Sequence, residues 1–329
     1  MPVIKIDNHR LQSGDGESVL DTLIKHDIEV PYSCKIGICQ SCKLHCTQGD
    51  IPEQSQTALE PNLRELGYFL ACQCVPENDI QIEIPGSKQL YISAELIDKR
   101  QLSPEVFRFR LRTNVPIFYH AGQFINLRHN DNLIRSYSLA SLPSEDNLLE
   151  LHVKRMRNGV VSNWLADSFE IGEFIEIEGP MGACFYSNTM NNQPLLLIGT
   201  GTGLAPLIGI IRDALHNKHQ GEIHLYHGAY SQQELYLNAH LEKLMTENIN
   251  LKYHPCITDN EPEESTQKEL ACNIALSNHP DLKGWQVFLC GSPSMVKTMQ
   301  QKAYFAGASL ADIHTDPFET KELRNQERG

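Results

Sequence analysis

The amino-acid sequence predicts a multidomain chain that combines α+β and α/β units: a small mixed unit, an antiparallel β-barrel and a doubly wound parallel sheet. The 329 residues are enough for two or three domains with separate hydrophobic cores. Short alternating strands fill residues 90–186, and apolar strands alternate with helical stretches after residue 191. We therefore expect domains at 1–88, 89–190 and 191–329.

The first unit has strand patterns at both of its ends. Residues 3–6 (VIKI) and 80–84 (IQIEI) alternate with the period of two that a half-buried strand requires. Between them, residues 17–28 (ESVLDTLIKHDI) carry apolar side chains at helical spacing. Residues 85–89 (PGSKQ) supply the Pro, Gly and Ser of a linker to the next unit.

The second unit is predicted from six strand segments at the regular spacing of an antiparallel barrel. One helical segment, residues 160–168 (VVSNWLADS), interrupts them. The strand segments are YISAELI (91–97), VFRFRLR (106–112), QFINLR (123–128), SYSLAS (136–141), LLELHVKR (148–155) and FIEIEGP (174–180).

The third unit begins with a continuous apolar run, a Gly-rich turn and a segment of helical period, LIGIIRDAL (207–215). Further strand segments follow with helical stretches between them, which favours a parallel doubly wound sheet. The charged tail at 319–329 is expected to be frayed. The strand segments are PLLLIG (194–199), EIHLYHG (222–228), INLKYHP (249–255) and WQVFLCG (285–291).

Composition and the N-terminal residues favour a cytoplasmic chain. Hydrophobic residues make up 41% and charged residues 21% of the chain, and no apolar run reaches the roughly 18 to 20 residues that cross a bilayer. Residues 1–16 lack the apolar core of a signal peptide. In the cytoplasm thiols stay reduced, and clustered cysteines bind metal more often than they form disulfides.

The net charge of −13 at pH 7 argues against nucleic acid and anionic membranes as partners, because both select basic surfaces. Residues 1–88 contain seven Lys or Arg and thirteen Asp or Glu, a net charge of −6. This acidic segment would steer a basic protein partner, and it would equally serve as a plain solvated surface.

Four cysteines have the spacing of an iron–sulfur site. Cys34, Cys39 and Cys42 form C-x4-C-x2-C in a loop that Gly37 makes flexible, and Cys72 follows after 29 residues. This is the plant-type [2Fe–2S] spacing, in which four thiolates hold two irons. A zinc site would use paired C-x2-4-C units, a pattern that ACQC (71–74) strains.

Six further strings follow in the second and third units. With the cysteine spacing, residues 1–88 resemble the β-grasp ferredoxin domain of bacterial oxygenase reductases. The remainder is similar to their ferredoxin–NADP reductase-type module, with a flavin barrel and a nicotinamide domain. The strings are RSYSLAS (135–141), HVKRMRNGVVSNW (152–164), EGPMG (178–182), LLLIGTGTGLAP (195–206), FLCGSP (288–293) and HTDPF (314–318).

The resemblance implies FAD in the barrel, because the domain order is that of the FAD-using branch. Arg135 would neutralise a flavin phosphate, Tyr137 would stack at the isoalloxazine ring, and the Ser138 hydroxyl would reach flavin N5. Gly159 and Ser162 would meet the pyrophosphate where a helix begins, with Ser162 near the cap. The full set of flavin residues implied is Arg135, Tyr137, Ser138, Val153, Lys154, Gly159, Val161 and Ser162.

The resemblance also implies a nicotinamide site. Gly199, Gly201 and Gly203 would let the backbone approach a pyrophosphate, and the helix that follows favours negative charge. Cys290 would lie beside nicotinamide C4; an isolated buried cysteine is more often structural. NADH is expected because residues 225–242 contain no Arg or Lys and Glu234 would repel a 2′-phosphate. Thr202, Pro206 and Gly291 complete this set, and Phe318 is the candidate for covering the flavin.

The fourth cluster ligand is chosen by the family's register. If FLACQC (69–74) is extended, Cys72 and Cys74 point to the same face, so geometry alone leaves both open. The family's 29-residue spacing and its LACQ-like closing motif favour Cys72. Cys46 lies only four residues after Cys42 and would have to bind from the loop's own side.

The resemblance implies an NADH-dependent oxidoreductase that passes electrons from NADH to FAD, to the [2Fe–2S] cluster and then to a protein. The expected acceptor is the terminal component of a mono- or dioxygenase, or another one-electron acceptor protein. Two alternatives remain: a deoxysugar-biosynthesis reductase resembling CDP-6-deoxy-glucoseen reductase, and a redox sensor that keeps its cofactors without turnover.

Overall fold

The computed structural model describes residues 1–59, 61–84, 91–130, 133–258 and 267–318. The predicted linker at 85–89 and the charged tail at 319–329 lie outside these residues. The described chain forms three sheets of five, six and five strands, in the chain order that the sequence predicts. None of its described helices has the length and apolar character needed to span a membrane.

The first sheet is mixed, in the order β2-β1-β5-β3-β4, with β1 and β5 parallel. The buried side chains of Val19, Leu20 and Leu23 pack α1 into this unit's core, as the helical spacing predicts. Ser18 caps α1, because its hydroxyl accepts the Asp21 backbone N–H at 3.1 Å. The elements are β1 Val3–Ile6, β2 His9–Gln12, α1 Val19–Lys25, β3 Lys43–Gln48, α2 Pro61–Glu65, β4 Tyr68–Leu70 and β5 Ile80–Glu83.

The second sheet is antiparallel throughout, in the order β10-β7-β6-β11-β8-β9. A bridge between Leu139, directly after β9, and Leu151 of β10 joins its two edges and closes the barrel. The predicted antiparallel barrel is thus confirmed. The elements are β6 Ile92–Gln101, β7 Val106–Thr113, β8 Phe124–Asn130, β9 Leu133–Ser138, β10 Leu149–Lys154, α3 Val160–Asp167 and β11 Phe174–Met181.

The third sheet is parallel, in the order β14-β13-β12-β15-β16. From β12 the chain proceeds outward through β13 to β14 and then crosses to β15 and β16 on the other side of β12, so a crevice opens between the carboxyl ends of β12 and β15. The last strand, β16, contains most of the HTDPF motif and was not predicted. The elements are β12 Leu195–Thr200, α4 Leu204–His216, β13 Ile223–Ala229, α5 Asn238–Glu247, β14 Leu251–Ile257, α6 Gln267–Asn278, β15 Gln286–Gly291, α7 Pro293–Phe305 and β16 Ile313–Pro317.

The continuous apolar run of β12 follows from burial on both faces of the sheet. Leu195 and Leu197 belong to one core cluster, whereas Leu196 and Ile198 belong to a second cluster on the other face. All four are fully buried. A central parallel strand covered by helices on both sides therefore shows no polar alternation.

Candidate functional site

One pocket is lined jointly by the cysteine loop, the barrel and the parallel sheet. Ser33, Cys34, Ile38 and Cys39 form its wall on the side of the first unit. Nine of the residues predicted for flavin or nicotinamide binding also line it: Arg135, Tyr137, Ser138, Lys154, Gly159, Val161, Ser162, Thr202 and Phe318.

The four cysteines predicted as cluster ligands form two pairs. The backbone N–H groups of Cys34 and Cys39 each donate to the other residue's Sγ at 3.4 Å. A hydrogen bond from Cys39 lowers the pKa of the Cys34 thiol to about 6. A hydrogen bond between Cys42 and Cys72 likewise lowers the pKa of the Cys72 thiol to about 7. The sequence thus brings four thiols together as two pairs.

This two-plus-two arrangement fits a two-iron cluster better than a single ion. In a [2Fe–2S] cluster each iron takes two of the four thiolates, whereas a structural zinc ion draws all four ligands around one centre. Among the described residues, no group of three or more His, Cys, Asp or Glu side chains is arranged to hold one metal ion. The donor set therefore fits the group that the spacing predicts.

Cys74 and Cys46 lie in other surroundings. The strand β4 ends at Leu70, and the Gln73 N–H donates to the Leu70 carbonyl at 2.9 Å in a turn. The premise of an extended ACQC segment is therefore wrong, and Cys72 and Cys74 do not share a strand face. Burial raises the pKa of the Cys74 thiol to about 12, and Cys46 Sγ donates to the Gln48 carbonyl at 3.2 Å.

A serine–aspartate pair lies in the pocket. Ser138, at the end of β9, donates its hydroxyl hydrogen to Asp316 Oδ2 at 2.6 Å, and both side chains are buried. Burial raises the pKa of the Asp316 carboxyl to about 6, with the Ser138 hydrogen bond acting in the opposite direction. Sequence reasoning missed Asp316, because it selected Phe318 from the same HTDPF motif.

Phe318 and Asp316 are placed by the pairing of β16 with β15. Asp316 lies opposite Cys290, and Pro317 opposite Gly291. The Phe318 backbone N–H donates to the Gly291 carbonyl at 2.7 Å, which holds the half-buried ring at the pocket wall.

The part of the pocket where the flavin pyrophosphate is predicted to bind is built around the start of α3. Gly159 is the N-cap of this helix, and a Cβ there would lie 2.4 Å from Ser162 Oγ. Ser162 is the third helical residue and not the cap: its Oγ accepts the Met156 N–H at 3.2 Å and holds the preceding loop. Lys154 lies nearby, with its Nζ 3.8 Å from Glu234 Oε2.

The three glycines of the turn after β12 have different surroundings. A Cβ on Gly203 would lie 2.2 Å from the Cys290 carbonyl oxygen, and one on Gly199 would lie 2.7 Å from the Leu207 side chain. These two positions need glycine for internal packing. Gly201 has φ +55° with open space around it, so it is the position of the three where a ligand has room to approach.

The remaining predicted residues lie outside the pocket wall. Val153 is buried in the barrel core and Pro206 in α4. Cys290 is fully buried, with its Sγ 3.7 Å from Cys184 Sγ, and burial raises the pKa of its thiol well above the usual range. Its place beside the nicotinamide stays a prediction, as does the role of Gly291.

His152 is a second pocket residue that sequence reasoning missed. Its buried ring has Nε2 at 3.0 Å from Glu150 Oε1 and Nδ1 at 3.3 Å from Tyr236 OH, which connects the barrel to the parallel-sheet unit. Burial alone would raise the pKa of Glu150, but His152 and Arg110 lower it to about 2. A lone histidine inside a strand gave no signal of these contacts.

Three family models match successive parts of the chain. They describe a 2Fe-2S iron-sulfur cluster binding domain over residues 4–77, an oxidoreductase FAD-binding domain over 93–186 and an oxidoreductase NAD-binding domain over 197–301. The three expected cofactors are thereby confirmed.

Relatives match almost the whole chain. It is 30% identical over 317 residues to the ferredoxin–NAD(P)+ reductase component of the naphthalene 1,2-dioxygenase/salicylate 5-hydroxylase systems of a Ralstonia species, covering 94% of this chain and 96% of the relative. It is 27% identical to the CDP-6-deoxy-L-threo-D-glycero-4-hexulose-3-dehydrase reductase of Yersinia pestis, covering 93% and 94%. The crystal structure of the Amycolatopsis cytochrome P450 reductase GcoB matches with a TM-score of 0.67 at 28% identity, covering 97% of this chain and 99% of that one.

Proposed function

Because the chain belongs to the family of ferredoxin–NAD(P)+ reductase components of oxygenase systems, we propose that it passes electrons from NADH to the terminal component of a mono- or dioxygenase. The observation that carries the proposal is the shared pocket. Two cluster-ligand cysteines, Cys34 and Cys39, stand in the same wall as the flavin-motif residues Tyr137 and Ser138. Flavin and cluster would therefore be neighbours.

The work is divided among the three units with boundaries at 1–88, 89–190 and 191–329. Bound FAD would supply hydride acceptance from NADH and one-electron transfer to the [2Fe–2S] cluster, and this redox chemistry would belong to the cofactors. The protein supplies binding and orientation. Cys34 and Cys39 would hold one iron, and Cys42 and Cys72 the other, as their pairing suggests.

Ser138 and Asp316 would transfer a proton to and from the flavin. The Ser138 hydroxyl faces the pocket and hydrogen-bonds the Asp316 carboxyl at 2.6 Å. Since burial raises the pKa of Asp316 to about 6, this carboxyl takes up and releases a proton near neutral pH. A proton would move between Asp316 Oδ2 and the pocket by way of Ser138 Oγ.

Anionic groups of the two nucleotides would bind at two helix N-termini. Arg135, Lys154 and the first turn of α3 after Gly159 line the flavin side. Gly201 and Thr202 precede α4 on the nicotinamide side. Free backbone N–H groups and the helix dipole favour phosphate at both places.

We also propose a cytoplasmic location and a one-electron acceptor protein as the partner, not nucleic acid. None of the ten cysteines is paired in a disulfide in the structure, and clustered cysteines that bind metal are typical of a reducing compartment. A deoxysugar dehydrase is the second candidate for the acceptor, because the Yersinia pestis relative is a reductase of such an enzyme.

The test is turnover of the purified, cofactor-loaded chain. We expect stoichiometric NADH oxidation with cytochrome c as a one-electron acceptor, and FAD as the flavin released by heat. Catalytic turnover would exclude a sensor without turnover. Reconstitution with the oxygenase or the dehydrase encoded beside it would then choose between the two acceptors. A loaded chain that does not oxidise NADH with either acceptor contradicts the proposal.

A further inference from the structure

A buried ion pair joins the cysteine loop to the barrel. Lys43 directly follows the ligand Cys42 and begins β3, and its Nζ lies 2.5 Å from Glu178 Oε1 in β11. The two side chains are only 5% and 8% exposed. The residues are 135 positions apart in the chain and belong to different sheets.

Asn126 of β8 extends this contact to the backbone of a second cysteine. Its Nδ2 donates to the Cys39 carbonyl at 3.0 Å and lies 3.4 Å from Glu178 Oε2. Its Oδ1 accepts the Ser136 hydroxyl at 2.7 Å, and its side chain is fully buried. The polar groups of Asn126 are thus shared between the loop and the barrel.

The barrel residues of this network lie side by side across three strands. Glu178 of β11 is the cross-strand partner of Asn126, and Asn126 is the cross-strand partner of Ser136 in β9. Ser136 stands between Arg135 and Tyr137 on the flavin-motif strand. A continuous row of hydrogen-bonded side chains therefore runs from that strand to the cysteine loop.

Such a network fixes the relative position of two units more than the fold of either one. Lys43 pairs with Glu178 across the interface, and the Asn126 amide donates across it to the Cys39 carbonyl. A shift of the loop would therefore leave a buried charge or a buried amide without its partner. The strands that carry Asn126 and Glu178 are hydrogen-bonded on both sides within the barrel, which makes them rigid supports.

We propose that Lys43, Asn126 and Glu178 are positioning residues, which hold the cluster-binding loop at a fixed distance from the flavin-binding strand and so set the rate of electron passage between the two cofactors. This inference rests on the proposed function. It assigns these three residues no direct contact with FAD, NADH or iron.

The test compares Glu178→Gln with Glu176→Gln in the cofactor-loaded protein. Glu176 lies two residues before Glu178 on β11, and its side chain is 51% exposed. Its ion-pair partner Arg128, at 2.6 Å, also belongs to the barrel, so this pair does not join the two units. Stopped-flow absorbance after mixing with NADH separates flavin reduction from cluster reduction. We expect flavin reduction within about twofold of wild type in both variants. Cluster reduction should fall at least about tenfold in Glu178→Gln alone, since small misplacements of reacting groups cost that much.

Two further measurements separate positioning from folding. In the protein prepared without cofactors, Glu178→Gln should accelerate hydrogen–deuterium exchange in peptides that contain residues 39–43, whereas Glu176→Gln should not. Asn126→Ala keeps the ion pair between Lys43 and Glu178. It should also slow cluster reduction, but by a smaller factor than Glu178→Gln does.

The outcomes are distinguishable. Unchanged cluster reduction in a loaded Glu178→Gln protein overturns the inference and leaves the proposed function standing. Loss of the cluster from both Glu178→Gln and Asn126→Ala would assign these residues to cluster loading and overturn positioning. If wild type itself passes no electrons from flavin to cluster, the proposed function fails.

Discussion

Glu178 and Asp316 are two buried carboxylates beside the same barrel, and their partners differ. Glu178 meets the cysteine loop, where the Lys43 ammonium lies 2.5 Å away and Asn126 is a second polar neighbour. Asp316 contacts the end of β9, where the Ser138 hydroxyl donates to it at 2.6 Å. Among the described residues, no Lys, Arg or His forms an ion pair with Asp316.

Because of this difference, the two carboxylates have different proposed roles: Glu178 holds the cysteine loop in position, and Asp316 exchanges a proton. A buried carboxylate beside an ammonium forms a fixed charge pair, and losing either partner leaves an uncompensated charge. Burial destabilises the anion of a carboxylate that has no cationic partner, and a hydroxyl hydrogen bond offsets only part of this cost, so the pKa rises toward neutral pH. Glu178 is therefore suited to holding the cysteine loop in position, and Asp316 is suited to exchanging a proton in the pocket.

The largest effect is expected from a substitution that removes the [2Fe–2S] cluster and leaves flavin reduction in the pocket intact. Cys72→Ser should abolish the [2Fe–2S] absorbance and EPR signal, because Cys72 is paired with Cys42. NADH should still reduce FAD in this variant, while transfer to cytochrome c collapses.

Cys74→Ser and Cys46→Ser are the matched controls for that experiment. Both should retain the cluster, since Cys74 hydrogen-bonds Ser55 and Cys46 contacts the Gln48 carbonyl. Loss of the cluster in Cys74→Ser with retention in Cys72→Ser would show that the ligand assignment is wrong by two residues.

The next largest effect is expected from a substitution that removes only the Ser138–Asp316 contact in the pocket. Ser138→Ala removes the hydroxyl between Asp316 and the pocket, and hydride transfer from NADH should slow by about ten- to a thousandfold, as for other single-donor deletions. Bound FAD should stay near stoichiometric. Stopped-flow flavin reduction measures the rate, and an unchanged rate would leave Ser138 with a structural role.

Asp316→Asn sharpens the comparison through its pH dependence. Burial raises the pKa of Asp316 from 3.8 to about 6, so unfolding releases a proton between these values and wild-type stability falls as pH rises through that window. Above pH 6 the neutral Asn avoids this loss, and the variant should be more stable than wild type by up to about 3 kcal/mol.

Thermal unfolding at pH 4 and pH 8 checks this expectation. The difference in Tm between Asp316→Asn and wild type should be near zero at pH 4 and positive at pH 8. Asp281→Asn, the same substitution at an exposed carboxyl, is the matched control. A difference in Tm that does not depend on pH would contradict the burial argument.

The smallest effect concerns Glu234, a carboxylate that is 40% exposed and lies 3.8 Å from Nζ of the pocket residue Lys154. We expect kcat/KM to be higher with NADH than with NADPH, because Glu234 would repel the 2′-phosphate. Glu234→Gln should narrow the preference by about tenfold or less, which corresponds to about 1.4 kcal/mol. A wild-type preference for NADPH would refute the expectation.

The sequence by itself determined the order of the three units and singled out the four cysteines that the structure brings together as two pairs. Hydrophobic period depends on neighbours a few residues apart, so strands such as β1 and β10 and the helix α1 were readable locally. Cys34, Cys39 and Cys42 lie within one loop, where spacing along the chain limits spacing in the folded protein. The motifs RSYSLAS and LLLIGTGTGLAP could be placed at strand ends for the same reason.

The tertiary structure alone decided which distant side chains meet. Asp316 is 178 residues from Ser138, and Glu178 is 135 residues from Lys43. Cys72 was separated from Cys74 by a turn that local pattern did not show. Sheet order and strand register bring such groups together, and both are set by the packing of whole elements. A single polar residue inside a strand pattern carries no information about the partner that its folded position will give it.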